Sequence, residues 1–207
     1  MLNRIQHLSG PDAVSTVYLG DNVDFSKEVG SVDLIVGSPP YLTRIDYVVA
    51  TAPEFAALGY DVKSDSFGLR SKVTGTSIVR GWAPKLTGIQ EVDTLLEDIR
   101  SHGSKASSTY YYKFFSKYFH SLISSLCSVG KTCNDSATLV LVLQGSYYKD
   151  IFVDLPELAA AICRALGWRL MDRFAFQNRR DIGRVNSRSR SYVKDRLANE
   201  ETIIFRR

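Results

Sequence analysis

The sequence predicts an α/β domain, and three observations predict it. Apolar runs at 34–36 and 137–144 are short, and the first is bounded by an acid and a glycine, so both read as buried strands. Apolar residues recur at helical spacing over 107–127 and 155–166. From the first of these runs onward the order is strand, helix, strand, helix, strand, loop, strand, the alternation of a sheet layered with helices. A chain of 207 residues suits one domain with a substantial core, and 11 tyrosines with 10 phenylalanines bring large buried area to it.

Taken in order, residues 1–14 are mixed and polar, an arm or a short helix. Val14 to Leu19 alternates as a strand does, and Gly20-Asp21-Asn22 closes it. Residues 24–30 form a short helix or loop leading to the strand at 34–36. Ile45 to Leu58 reads as a helix, but Pro53 falls inside it, which predicts a kink or two shorter helices. Residues 59–103 have no clean period and several glycines, and they carry Lys63, Arg70, Lys72, Arg80 and Lys85. Loops of this length are functional or disordered more often than not. We expect the 59–106 stretch to be an insertion holding part of a target-recognition surface. Its bland alternative is a partly helical surface excursion, since Gln90 to Ile99 has the pattern of an amphipathic helix.

The helix at 107–127 carries Tyr111, Phe114, Phe115, Tyr118, Phe119, Leu122, Ile123 and Leu126 on one stripe, which reads as core. His120 within it reads as a packed residue at the core edge, and Gly130 ends the helical region. The run 137–144 is a fully buried strand followed by Gly145-Ser146-Tyr147-Tyr148. Residues 155–166 form a helix with Pro156 in its first turn and Gly167 as its stop. Residues 168–176 and 201–205 are two further strands.

The candidate site lies where the strand at 34–36 runs into Ser38-Pro39-Pro40-Tyr41. Neither proline donates a backbone hydrogen bond, and each biases the residue before it to an extended shape. The strand therefore ends in a stiff turn with free carbonyls. In open α/β sheets the carboxyl ends of strands are where ligands sit. An exocyclic amine on a nucleobase is a poor nucleophile because its lone pair is delocalised into the ring. Fixed acceptors that hold both amine protons localise that lone pair on nitrogen. The Ser38 hydroxyl and the Pro39 carbonyl suit that task, Pro40 sets the turn, and the Tyr41 ring suits stacking on an extruded base. The competing reading is a strand terminator with Tyr41 filling a core edge.

The string resembles the (Asn/Asp/Ser)-Pro-Pro-(Tyr/Phe/Trp) motif of the amino-group DNA methyltransferases, which make N4-methylcytosine or N6-methyladenine. Its serine form is most similar to the N4-cytosine members, and adenine enzymes share it. Leu42-Thr43-Arg44-Ile45-Asp46-Tyr47, Gln144-Gly145-Ser146-Tyr147-Tyr148-Lys149-Asp150 and Asn178-Arg179-Arg180 also resemble one branch of that family. The likeness is loose between about Ala83 and Lys105. It implies a three-layer Rossmann-like S-adenosylmethionine-dependent methyltransferase fold, represented by its C-terminal half and ending in an antiparallel hairpin. It further implies a site-specific transfer of methyl from S-adenosylmethionine to the amine of a flipped base, cytosine N4 ahead of adenine N6. Ser38, Pro39, Pro40 and Tyr41 are the catalytic residues by this resemblance, and Asp21 lies near the cofactor's adenine. Asp21 is equally an ordinary turn or helix cap.

Between the last two strands lies 178–194, in which Arg179, Arg180, Arg184, Arg188, Arg190 and Lys194 stand against Asp181 alone. With its hydroxyls and amides this is a candidate DNA-phosphate-contacting loop, although charge runs are ordinarily solvated faces. The glycine-rich cofactor turn of the family, and the acid that binds the ribose hydroxyls, have no counterpart here. The chain thus resembles the catalytic-turn half of a methyltransferase without its cofactor half. Three explanations follow: one subunit of a split enzyme whose partner polypeptide supplies the glycine-rich motif, a piece of a longer chain, or a non-methylating DNA-binding or assembly relative. We rank the split enzyme first, because a pure binding module has no need of an intact Ser-Pro-Pro-Tyr turn.

The net charge of +4 is mild. No apolar run reaches the ~20 residues a bilayer requires, so no membrane span is expected. Residues 1–7 lack a signal-peptide apolar region. Cys127, Cys133 and Cys163 have no zinc spacing, and their odd number suits reduced thiols in a cytoplasm. Direct transfer to an amine needs no metal and no covalent intermediate, and no cysteine follows a proline as ring-carbon methylation would require.

Overall fold

A computed structural model describes residues 30–42, 45–60, 68, 70–71, 73–176 and 200–207. The expected strand at 14–19 and all but the last residue of the helix or loop at 24–30 lie outside the described residues. Within them the chain is mixed α/β, as expected. Strand β1 (Val32–Gly37) leads through the proline turn to two short helices, α1 (Tyr47–Ala50) and α2 (Ala52–Ala57). The break falls at Thr51, and Pro53 sits in the first turn of α2, where its missing N–H costs nothing. Helix α3 (Gln90–Ser101) follows, then a π-helical turn (Ser107–Tyr111) that passes directly into α4 (Tyr112–Thr132).

Helix α4 runs past Gly130 and stops only at Thr132, with Cys133 extended as its C-cap. The Arg207 guanidinium donates to the carbonyls of Gly130 and Cys133 at that end, so the glycine does not have to terminate the helix. Strand β2 (Cys133–Gln144) therefore begins four residues earlier than its apolar run suggests. A hairpin of β3 (Ser146–Tyr148) and β4 (Ile151–Val153) follows, then α5 (Leu155–Ala165), β5 (Arg169–Phe176) and β6 (Glu200–Arg206). Asp154 caps α5 by accepting from Glu157 N–H at 3.0 Å.

The main sheet has the order β1-β2-β6-β5. Strands β1 and β2 are parallel, and β6 is antiparallel to both β2 and β5. The last two strands thus form the expected antiparallel pair, with β6 inserted next to β2. One face of the sheet carries the core. Ala137, Leu139, Leu141 and Leu143 of β2 and Ile203 and Phe205 of β6 are buried against Val92, Leu95, Leu96 and Ile99 of α3, the aromatic stripe of α4 and the alanine-rich face of α5. The long helix is core, as its spacing predicts.

The expectation of a fully buried strand at 137–144 holds on one face only, since Thr138, Val140, Val142 and Gln144 are half-buried, and that of a buried strand at 34–36 fails. Leu34 is 59% exposed and Val36 67% exposed. Their register, Leu34 opposite Thr138 and Val36 opposite Val140, places them on the sheet face away from the helices. Only Ile35 packs against the core. Exposed Phe174 and Phe176 of β5 lie on that same open face, since they pair with Thr202 and Glu200. Apolar content alone signals burial, but burial also needs a covering layer, and among the described residues none lies there.

Candidate functional site

The stiffness of Ser38-Pro39-Pro40-Tyr41 is reinforced from five directions. Ser38 Oγ donates to the Val142 carbonyl of the neighbouring strand at 3.1 Å and lies 3.5 Å from Tyr41 Oη. The Pro40 carbonyl accepts from Tyr118 Oη of α4 at 2.6 Å. The Tyr41 N–H donates to Tyr47 Oη of α1 at 3.1 Å. The Leu42 carbonyl accepts from Ser146 Oγ of β3 at 3.0 Å, and the Leu42 side chain is buried in the core. Tyr41 Oη, finally, donates to the Glu200 carboxylate of β6. Gly75 packs beside this turn at φ +80°, a backbone conformation that favours glycine, although a Cβ there would make only ordinary contact with Pro40 and Tyr118 at 3.7 and 3.8 Å.

These bonds leave a particular set of groups open. The Ser38 hydroxyl is exposed, and with its proton directed at Val142 it offers lone pairs outward. Among the described residues no donor reaches the Pro39 carbonyl, whereas the Pro40 and Leu42 carbonyls are both taken. Tyr41 is half-buried, and burial together with the Glu200 carboxylate raises its phenol above the ordinary range. It is therefore a neutral ring held by its hydroxyl at neutral pH. The turn presents two fixed acceptors beside an aromatic ring, and it lies at the carboxyl ends of the parallel strands.

The structure thus brings Ser38, Pro39, Pro40 and Tyr41 together, and it adds three residues that sequence reasoning passed over. Glu200 stands 159 positions from Tyr41, so no local pattern connects them. Tyr118 is legible as core but not as the clamp of a proline carbonyl, because an aromatic stripe carries no sign of where its hydroxyls end. Tyr47 lies in the run that follows the turn, and nothing in that run signals that its hydroxyl receives the Tyr41 N–H. Asp21, Arg179, Arg180, Arg184, Arg188 and Arg190 lie outside the described residues, as do Lys63 and Lys72. Arg70 is paired with Asp46, the N-cap of α1, at 2.5 Å, while Arg80 and Lys85 are exposed.

The described residues do not fit the methyl donor that the resemblance implies. The turn after β1 is Ser-Pro-Pro rather than glycine-rich, and β2 runs through Gly145 into the β3–β4 hairpin rather than into a helix. The glycines at positive φ (Gly59, Gly75, Gly81, Gly88 and Gly167) lie in no strand-to-helix turn. Among the described residues there is also no His, Cys, Asp and Glu group that holds a metal, and no helix long and apolar enough to cross a membrane. Comparison of the chain with protein-family models gives no match, and comparison with curated proteins gives none either.

Proposed function

We propose that this chain is the base-gripping part of a site-specific DNA amino-methyltransferase, acting on cytosine N4 ahead of adenine N6. S-adenosylmethionine is bound by a partner polypeptide that carries the glycine-rich motif. The observation that carries the reading is a pair of acceptors that no donor among the described residues occupies, Ser38 Oγ and Pro39 O, on a turn anchored by α1, α4, β2, β3 and β6. In this reading the two acceptors hold the amine protons and Tyr41 stacks on the base, aligned through Glu200. Preorganised acceptors of this kind reduce a barrier without moving during the reaction.

The mixed sheet with its antiparallel final pair supports a methyltransferase-like α/β half. The exposed Leu34 and Val36 on β1 support a partner that covers them, because a parallel strand with an uncovered apolar face is an association surface. The basic stretch containing Arg184, Arg188 and Arg190 supplies phosphate contacts in the same reading.

The test is transfer of label from S-adenosylmethionine to DNA by the chain together with neighbouring gene products, followed by identification of the modified base. Ser38→Ala is expected to lower the rate by roughly 10²-fold or more, the scale of losing one preorganised group. Tyr41→Ala is expected to reduce productive binding of the flipped base. Methylation by the complex that is indifferent to both substitutions rejects the catalytic role and leaves an assembly or DNA-binding subunit.

A further inference from the structure

The β3–β4 hairpin has two faces of opposite character. Inward, Ser146, Tyr148 and Val153 are buried, and Tyr148 Oη meets Ser104 and Ser107 at 3.0 and 2.5 Å. Outward, Tyr147 and Phe152 are cross-strand partners whose ring centroids lie 4.9 Å apart at 48°. Tyr147 is 36% exposed and Phe152 47% exposed. The Phe152 ring is also held from below. It lies so close to the Gly145 backbone that a Cβ there would come within 2.9 Å of Phe152 Cζ. An exposed ring seated on a glycine is preorganised, and ordering it costs a ligand little.

The hairpin stands beside the proline turn. Gln144, the last residue of β2, pairs with Glu200, which receives the Tyr41 hydroxyl. Tyr147 is three residues further, a reach of about 10 Å along a strand. Ser146 Oγ bonds the carbonyl of Leu42, the residue after Tyr41. At the tip, Lys149 is half-buried and Asp150 is held by His102 at 2.8 Å.

We infer that Tyr147 and Phe152 form a second base-stacking platform, which receives an unpaired nucleobase flanking the one gripped at Ser38–Tyr41. The inference rests on the nucleic-acid reading of that turn. Size selects this occupant. Two rings bordered by Lys149 and Asp150 match one or two bases, whereas a stable protein interface requires an order of 1,000 Å². Every base has a π-face, so the platform takes single-stranded nucleic acid without regard to sequence.

The test uses the full chain and fluorescent 12-nucleotide strands of deoxythymidine and of uridine, with affinity measured by anisotropy across a salt series. Tyr147→Leu and Phe152→Leu keep an apolar side chain and remove the ring. Each is expected to weaken binding about tenfold, the scale of one lost base–aromatic stack. The slope of log affinity against log salt should stay as in the wild type, because no phosphate contact is lost. Tyr147→Phe should bind as the wild type does. Gly145→Ala, which displaces the Phe152 ring and little else, should reproduce the Phe152→Leu loss with the melting temperature retained, and it serves if the leucine variants do not fold.

Absence of oligonucleotide binding by the wild type overturns the inference, as does unchanged affinity in the leucine variants or a change in their salt slope. Retained oligonucleotide binding with lost association to a partner polypeptide also overturns it, by assigning the rings to a protein contact. If Ser38→Ala abolishes methylation while the leucine variants bind oligonucleotide normally, the platform alone fails. If no methyl transfer is found but the leucine variants bind weakly, the methyltransferase reading alone fails.

Discussion

Tyr118→Phe isolates one bond between the core and the candidate site. Tyr118 is 1% exposed in the middle of α4, and its ring packs edge-on against Phe119 with centroids 5.4 Å apart. Phenylalanine keeps all of that packing and removes only the hydroxyl that donates to the Pro40 carbonyl at 2.6 Å. Burial pushes the phenol far above its ordinary range, so it is a neutral donor wherever the protein is folded. Deleting one neutral hydrogen bond costs about 0.5–1.5 kcal/mol, and more when the abandoned partner is sealed from water. Pro40 is only half-buried, so water replaces part of what is lost and about 1 kcal/mol is the expected cost. In a chain of this size that corresponds to a fall in melting temperature of about 2–4 °C. Circular dichroism melting measures it, and amide exchange of a peptide spanning 38–42 reports whether the Tyr41 N–H opens more often. A variant with wild-type melting and wild-type exchange refutes the claim that α4 clamps the turn. A loss above about 3 kcal/mol refutes the accounting, because one neutral bond does not supply it.

Two further outcomes follow from the packing of α4 and α5. Lys117 Nζ donates to the carbonyls of Ser71 and Ile78 at 3.1 and 3.0 Å, tying the 70–80 segment to α4, and burial lowers its pKa. Lys117→Met should release that segment and speed tryptic cleavage after the exposed Arg80 several-fold; an unchanged digestion rate contradicts the tether. Burial pushes the Cys163 thiol from 9.0 up to about 12. The unfolded chain therefore loses that proton first, so the contribution to stability is complete below about pH 9 and is lost as pH rises toward 12. In urea titrations from pH 8 to 11, Cys163→Ala should show a shallower alkaline decline than the wild type, and an identical slope removes this cause.

What the sequence disclosed, and what it hid, divides by the range of the interaction. The α4 stripe and the α5 start at Pro156 are set by neighbours a few positions apart, and periodicity exposes such relations. Pro53 announced the divided helix for the same reason. The β3–β4 hairpin was hidden because its turn carries no glycine; Lys149 itself adopts φ +57°. The start of β2 at Cys133 was hidden because it depends on Arg207 reaching back across the fold. The stiffness of the proline turn was legible, since it is written in four adjacent residues. Its anchors were not, because Tyr118 and Glu200 are joined to it only by folding.

The position of β6 sets an order of events during synthesis. This strand is the last of those described, yet it lies between β2 and β5 and carries the carboxylate that receives Tyr41. Until the ribosome has released residue 206, β5 lacks the strand it pairs with and the tyrosine swings without an acceptor. Pairings of such long sequence separation form late and slowly. The proline corner thus completes its hydrogen bonds only once β6 has joined the sheet.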